Sequence, residues 1–207
     1  MSSRRISWLI IIFIILALYF PVNRLAHSGV QTILPIDKII PLYPPAIVPY
    51  LLGDLIIVGF PIWAAVKAKS HEFEAYTISI ILVAIVSYFI YIVFPTFVTR
   101  PEVSSTDIFS KMLLFVYNSD RAYNTDPSGH TFYCILSLLY LGRWEPKYRL
   151  AGIIFVILVL ASTLLTRQHY VVDLLSGTIL AILAYALGRS AQKKWNLKFA
   201  SVIGISQ

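Results

Sequence analysis

Residues 150–188 read LAGIIFVILVLASTLLTRQHYVVDLLSGTILAILAYALG, which is two apolar stretches separated by a short polar connection. The first stretch, residues 150–166, has no charged side chain, and the second, residues 169–188, has only Asp173. An α-helix crosses a bilayer with about 20 predominantly apolar residues, and the range is ~17–25. The two stretches therefore predict a pair of membrane-spanning helices joined by a tight polar turn.

Four further apolar stretches extend this pattern toward the N terminus. They occupy residues 6–23, 46–66, 75–99 and 128–144, and the last is the weakest. Only helices and closed barrels satisfy the backbone inside hydrocarbon, and these stretches lack the alternation of barrel strands. We therefore predict one all-α domain over residues 1–207, a six-transmembrane-helix bundle. The first stretch is predicted to be an uncleaved span, because no small-x-small cleavage site follows it.

The composition excludes several other classes of protein. Of the 207 residues, 58% are hydrophobic and only 13% are charged, whereas soluble domains have about 45–50% and about 25%. This excludes a soluble globular domain, a disordered chain and a coiled coil. The net charge of +7 comes from cations between apolar stretches, which fits membrane flanks and an anionic substrate better than nucleic acid. The single cysteine, Cys134, excludes an intrachain disulfide.

The distribution of lysine and arginine predicts the orientation in the membrane. If both termini lie on one side, that side holds 11 of the 17 cationic side chains. The positive-inside rule then places both termini in the cytoplasm. The chain is therefore predicted to be a multi-pass protein of the cell membrane. The connections that begin at Arg24, Arg100 and Arg167 would face outward.

Two of these connections have features of their own. Prolines 41, 44, 45 and 49 crowd the start of the second span and predict a stiff interfacial turn. The loop at residues 100–127 contains apolar side chains at helical spacing within residues 107–117, preceded by Ser104, Ser105, Thr106 and Asp107 as candidate caps. This pattern predicts a short amphipathic helix in the membrane interface.

Two histidines lie at the starts of predicted spans on this outer side. His130 opens the fourth span and His169 opens the sixth, with Asp173 four residues later. Residues at i and i+4 share a helix face, so Asp173 can hydrogen-bond one ring nitrogen of His169. The other nitrogen would then be free to act as a base, a ligand or a nucleophile.

An anion site is predicted beside these histidines. Arg100 and Arg167 lie on the same side of the membrane, and Ser128 and Gly129 form a turn at a helix N terminus. Such a terminus binds anions through its free backbone N–H groups. Two imidazoles, a carboxylate and two guanidinium groups together suit phosphoryl transfer, which needs charge stabilisation, an in-line nucleophile and a proton donor.

These motifs resemble those of the type 2 phosphatidic acid phosphatase superfamily, in the lipid phosphate phosphatase and inositol phosphorylceramide synthase-like branches. The family's first motif is Lys, six residues, Arg-Pro, and this chain has Arg100-Pro101. Its second motif, Pro-Ser-Gly-His, is intact at residues 127–130, and its third is Ser-Arg, five residues, His, three residues, Asp. The chain departs from this pattern at Val93 and Thr163, which replace a lysine and an arginine, and Arg167 is a candidate substitute.

The resemblance implies a role for each site residue. His169 would attack phosphorus and form a phosphohistidine, Asp173 would orient it, and His130 would protonate the leaving oxygen. Substrate binding would fall to Arg100, Arg167, Ser128 and Gly129. The resemblance implies no metal and no cofactor. The predicted substrate is a membrane lipid phosphate or diphosphate monoester, the predicted reaction is its hydrolysis, and no nucleic acid is involved.

Three alternatives remain open at this point. A hydroxyl acceptor in place of water would make the chain a lipid phosphotransferase. Residues His130, His169 and Asp173 could instead ligate zinc, although neighbouring arginines repel a cation. An anion or proton transporter is the third, but transporters place polar residues near the middle of the membrane. Only Asp54 lies at that depth, and we interpret it as a polar contact near the interface.

Overall fold

Helices make up most of the molecule. The computed structural model describes the backbone of residues 2–105 and 107–202 and side chains as far as Lys194. Seven α-helices are present in this part: α1 (Ser3–Leu25), α2 (Ile47–Lys67), α3 (Ser70–Val93), α4 (Ile108–Ser119), α5 (Gly129–Trp144), α6 (Arg149–Leu165) and α7 (Val171–Val202). It contains two isolated bridges, Val30 with Thr96 and Phe97 with Tyr123, and no strand in the described residues. The predicted all-α fold is confirmed.

Five of the helices are long and apolar enough to cross a membrane. They are α1, α2, α3, α6 and α7, so the prediction of a membrane protein is supported. Helix α5 has 16 residues, because Pro127 and the cap Ser128 precede its start at Gly129 and Pro146 follows soon after its end at Trp144. The sixth span expected at residues 128–144 is therefore not confirmed. Helix α5 nevertheless contacts α2, α3, α6 and α7 and lies among them.

The third apolar stretch becomes a helix with different bounds from those predicted. We expected a span at residues 75–99, whereas α3 ends at Val93. Pro95 disfavours helical geometry in the residue before it. The rest of the stretch is extended: Val30 N–H donates to Pro95 O at 3.0 Å, and Phe97 N–H donates to Val30 O at 3.1 Å. The apolar residues beyond Phe94 thus belong to an extended loop segment at one end of the bundle.

Helix α4 confirms the short helix expected in the long loop. Asp107 caps it, accepting from the N–H groups of its first turn. Leu113 and Val116 are buried against Ile47 and Tyr50 of α2. The apolar face of α4 therefore packs on the bundle and closes one side of the space between α1 and α2.

Small residues bring α3 and α7 close together. A Cβ atom added at Gly188 would lie 2.9 Å from the carbonyl oxygen of Ala75, so only glycine fits this crossing. Ser79 Oγ donates to Ala184 O at 2.9 Å and lies 2.9 Å from the hydroxyl of Tyr140. This contact lies at the end of the bundle opposite to the two histidines.

Candidate active site

His130 is held at the N terminus of α5 by contacts with α7. Ser128 caps α5, since its Oγ accepts from Thr131 N–H at 3.3 Å. The N–H of Ser128 donates to Asp173 O at 2.9 Å. A Cβ atom at Gly177 would lie 2.9 Å from Ser128 O, so glycine permits this close approach of α7. The N-terminal ends of α5 and α7 consequently lie side by side.

His169 contacts the carboxylate predicted for it. Its Nδ1 lies 3.3 Å from Asp173 Oδ2, which confirms the predicted contact, although His169 precedes α7 and does not belong to its first turn. The same Oδ2 accepts from Tyr170 N–H at 2.9 Å, and Oδ1 accepts from the Thr32 hydroxyl at 2.8 Å. Asp173 is fully buried. Its negative charge is therefore fixed behind His169, and Nε2 of the imidazole is left for other partners.

The two histidines face each other across the head of a cavity. Their ring centroids are 6.2 Å apart and the rings are nearly perpendicular. The cavity has a volume of about 420 Å³. His130, His169, Arg100 and Gly129 all line it. These four predicted site residues are thus brought together from three separate parts of the chain.

A second carboxylate lies beside His130. Asp54 Oδ1 on α2 is 2.8 Å from His130 Nε2. The N–H direction of that nitrogen does not align with the carboxylate, so the contact is an ion pair without a formed hydrogen bond. Tyr50, one turn earlier on α2, stacks on the imidazole with ring centroids 4.2 Å apart. We expected Asp54 to make a polar contact with a neighbouring tyrosine or the backbone near the interface, whereas its carboxylate contacts His130 in the candidate site.

Arg100 is fixed in the cavity wall by backbone carbonyls. Its guanidinium donates to Tyr117 O at 3.0 Å, to Asp120 O at 2.6 Å and to Gln168 Oε1 at 2.5 Å. It lies over the Tyr117 ring, 4.7 Å from the centroid. Only one weak ion pair is present, to Asp120 Oδ2 at 3.9 Å. Most of the positive charge of Arg100 is therefore available to an anion in the cavity.

Two further residues predicted to bind substrate, Arg167 and Ser128, are not among the described residues that line the cavity. Arg167 occupies the left-handed region, with φ of 53°, in the turn between α6 and α7. Its guanidinium donates to Asp37 O at 2.7 Å and to Ile40 O, and it is absent from the cavity lining among the described residues. Ser128 is fully buried behind Gly129. Their predicted contacts with a substrate stay predictions.

Two acidic groups near the cavity have raised pKa values. Burial raises the pKa of Asp120, although the nearby Arg100 opposes this effect. Burial also raises the pKa of Asp126, which accepts a hydrogen bond from Ser176. In both groups burial disfavours the charged form of the carboxyl relative to the neutral form.

Several residues that line this cavity were not predicted to belong to the site. Tyr50, Asp54, Asn124 and Gln168 all line it. The lone carboxylate in an apolar stretch was a signal for Asp54, because an ionisable residue at membrane depth is costly. Gln168 is adjacent to His169, but nothing in its spacing indicated a role.

Among the described residues, no group of three or more His, Cys, Asp or Glu side chains is placed to hold a metal ion. Residues 42–187 match the family model described as the PAP2 superfamily, which is more than two thirds of the chain. The chain belongs to the PAP2 superfamily. No curated protein and no solved structure matches the chain.

Membership of the PAP2 superfamily limits the chemistry. The superfamily generally comprises phosphatases and related phosphotransferases or haloperoxidases. The match covers α2 to α7 up to residue 187 and therefore includes both histidines and Asp54. The family's cation positions are occupied here by Val93, which is 47% exposed at the end of α3, and by Thr163, which is fully buried in α6. The cationic groups of this PAP2 site must come from other positions.

Proposed function

We propose that this PAP2 protein is an integral membrane phosphatase that hydrolyses a lipid phosphate or diphosphate monoester. One observation carries the proposal: His130 and His169 face each other at the head of one cavity, with ring centroids 6.2 Å apart. Each imidazole has its own carboxylate, Asp54 or Asp173. The separation leaves room for a phosphoryl group between a nucleophile and a proton donor.

The proposed reaction has two steps. Nε2 of His169 forms a bond to phosphorus while the bond between phosphorus and the leaving oxygen breaks, and His130 gives that oxygen a proton. Water then gives a proton to His130, and its oxygen displaces His169 from phosphorus, releasing inorganic phosphate. Asp173 orients His169 and supports its positive charge. Arg100 and the Gly129 N–H are the groups proposed to hold the phosphate oxygens, while Ser128 caps α5 and Arg167 positions the turn that carries His169.

The walls of the cavity support a lipid as the substrate. Below the histidines they are mainly apolar, with contributions from Leu16, Phe20, Ile57, Val58 and Phe115. Such walls suit a hydrocarbon chain, while the polar groups gather at the opposite end around Arg100. The proposed location is the cell membrane, with both termini in the cytoplasm and this polar end outside.

The experiment uses the full chain purified in detergent. It is incubated with phosphatidate, phosphatidylglycerol phosphate, an isoprenyl diphosphate and a sphingolipid phosphate, and both free phosphate and new lipid products are measured. Release of phosphate from at least one lipid is the expected result. His71→Ala is the matched control for His169→Ala, because His71 is half exposed at the start of α3.

Three outcomes separate the candidate reactions. Free phosphate that appears with wild type and His71→Ala, and is lost in His169→Ala, supports the phosphatase. New phospholipid without free phosphate would indicate that the protein is a phosphotransferase and not a phosphatase. Activity lost in EDTA and restored by zinc would contradict the metal-independent mechanism.

A further inference from the structure

Five residues that line the cavity have a buried side-chain atom without a hydrogen-bond partner among the described residues, and three of them offer an amide or guanidinium group. The side chain of Asn124 is unpaired at both Nδ2 and Oδ1, and the residue is 2% exposed. Gln168 is 3% exposed and unpaired at Nε2. The third group is Nε of Arg100. Buried polar atoms in folded proteins nearly always have partners, so three unpaired groups around one cavity need an explanation.

The backbone holds these side chains firmly. Asn124 N–H donates to Thr96 O at 2.8 Å, and the next two N–H groups donate to Thr96 Oγ1 at 3.1 and 2.9 Å. Asn124 has φ of 59°, a conformation that asparagine tolerates better than most residues. The loop before α5 is therefore rigid at the point where the Asn124 amide meets the cavity.

Gln168 is fixed in a similar way next to the proposed nucleophile. Its N–H donates to Thr163 O at 3.0 Å, and its Oε1 accepts from Arg100 at 2.5 Å. With Oε1 occupied, the free side-chain atom is the donor Nε2. Thr163 occupies the position where the family pattern has an arginine, so Gln168 is anchored to the residue whose cation this chain lacks.

We infer that Asn124 Nδ2, Gln168 Nε2 and Arg100 Nε form a set of donors for the non-bridging oxygens of the phosphoryl group attacked by His169. The inference rests on the proposed function, because it assigns the substrate contacts of the same site. Three N–H donors around one cavity favour an anion with several oxygens over a cation or an apolar group. Fixed donors of this kind stabilise charge that develops in the transition state. Two neutral amides thus replace the missing lysine and arginine.

Three substitutions at two positions test the donors, and two of them change the shape of the side chain little. Gln168→Glu keeps an oxygen for Arg100 and replaces the free Nε2 by a second oxygen that repels an anion. Asn124→Asp does the same at a position where aspartate also tolerates φ above zero, and Asn124→Gly removes the side chain without backbone strain. Gln192→Glu is the matched control, because Gln192 is also buried and unpaired at Nε2 but lies outside the cavity lining among the described residues.

The experiment measures the binding of orthovanadate, a mimic of the phosphoryl transition state, to the full chain in detergent by calorimetry. Loss of one hydrogen bond to a charged group corresponds to at least about a tenfold change in affinity. We expect Gln168→Glu, Asn124→Asp and Asn124→Gly each to weaken vanadate binding by about tenfold or more, with Gln192→Glu like wild type. The melting temperature of each variant checks that it is folded.

Failure of this inference differs from failure of the proposed function. Wild type that hydrolyses a lipid phosphate and binds vanadate, with all three variants binding equally well, would overturn the donor set alone. Wild type that neither hydrolyses the lipids nor binds vanadate would overturn the proposed function and the inference with it. A variant of Asn124 that weakens binding while Gln168→Glu does not would also contradict the set as stated.

Discussion

Asp54 Oδ1 lies 2.8 Å from His130 Nε2, and this contact joins α2 to α5 at the head of the cavity. Each of the two histidines therefore has a carboxylate from a different helix or turn. The two pairs differ in environment, since the Asp54 side chain is 47% exposed and Asp173 is fully buried. Solvent screens the exposed pair more strongly, so Asp54 stabilises a charged imidazole less than Asp173 does.

The first prediction concerns Asp54 as a positioning residue for His130. We expect Asp54→Asn to lower kcat about tenfold for a lipid alcohol leaving group and to change KM little. The loss should be smaller for an activated phosphate ester such as a nitrophenyl phosphate, because a good leaving group needs less help from His130. Tyr50→Phe keeps the stacked ring and serves as the control. An equal loss for both substrates would assign Asp54 a merely structural role.

The second prediction concerns the nucleophile and its carboxylate. His169→Ala should abolish turnover and prevent an acid-labile phosphoenzyme, because it removes the imidazole proposed to attack phosphorus. Asp173→Asn should lower kcat by at least ~100-fold, since it removes the buried charge behind His169. Rapid quench with a radiolabelled lipid phosphate measures both the phosphoenzyme and its decay. Near-normal phosphate release from His169→Ala would contradict the assignment.

The third prediction concerns pH and Asp120. Burial raises the pKa of Asp120 above its ordinary value of 3.8, so the folded protein binds a proton that the unfolded chain has already lost. Stability from this group is therefore present at low pH and falls as pH rises from 3.8 through the raised pKa. Asp120→Asn should remove this fall and raise Tm at neutral pH relative to wild type.

Thermal melts across acidic pH test the Asp120 prediction. Asparagine can still accept from the Tyr19 hydroxyl, which lies 3.1 Å from Asp120 Oδ1, so the substitution changes charge more than contacts. The difference in Tm between wild type and variant should grow as pH rises. A constant difference at every pH would mean that the Asp120 carboxyl does not titrate differently on folding.

The fourth prediction concerns the orientation in the membrane. A single cysteine at Ser105, which is exposed beside α4, should react with an impermeant thiol reagent added to intact cells. Cysteines at Lys69 or Lys147, exposed at the opposite end of the bundle, should not react. The background is Cys134→Ser, because Cys134 is buried and free. Labelling only at position 69 or 147 would place the two histidines on the cytoplasmic side. It would contradict the orientation predicted from the distribution of lysine and arginine.

Apolar runs predicted most of the helices because hydrophobic length is a local property of the chain. The apolar run at residues 75–99 extends beyond its helix, because Pro95 ends α3. The remaining residues of the run form part of a loop. The contact between His169 and Asp173 was also predictable, because the two residues are four apart. Asp54 and His130 are 76 positions apart, and their contact depends on how α2 packs against α5.

Side-chain direction was the other feature that local patterns did not predict. Asn124 and Gln168 occur in polar connections where amides usually face solvent, yet both are buried in the cavity wall. Asn124 N–H donates to Thr96 O in a loop distant in sequence, whereas Gln168 N–H donates to Thr163 O in the last turn of α6. Arg167 is the opposite case: it was predicted to face the substrate, but its side chain contacts the segment at residues 35–40. Its backbone has φ of 53°.

The last prediction concerns Arg167, for which two roles compete. The resemblance makes it a phosphate ligand, whereas its guanidinium donates to Asp37 O at 2.7 Å and to Ile40 O. Asp37 in turn accepts from Val171 N–H at 2.9 Å through Oδ1 and so caps α7. Arg167 thus fastens the 35–40 segment to the turn that carries His169, and lysine cannot reproduce this bidentate contact.

We expect Arg167→Lys to lower both Tm, by about 2–4 °C, and kcat/KM, and Arg167→Ala to lower them further. Vanadate affinity should fall less in Arg167→Lys than in Gln168→Glu, because the loss acts through the position of His169 and not through a missing donor. Arg189→Ala is the control, since Arg189 donates to Tyr185 at the other end of the bundle. If Arg167→Lys keeps wild-type Tm but weakens vanadate binding ~100-fold, the scale of one lost transition-state donor, then Arg167 is a direct phosphate ligand and the fastening role is excluded.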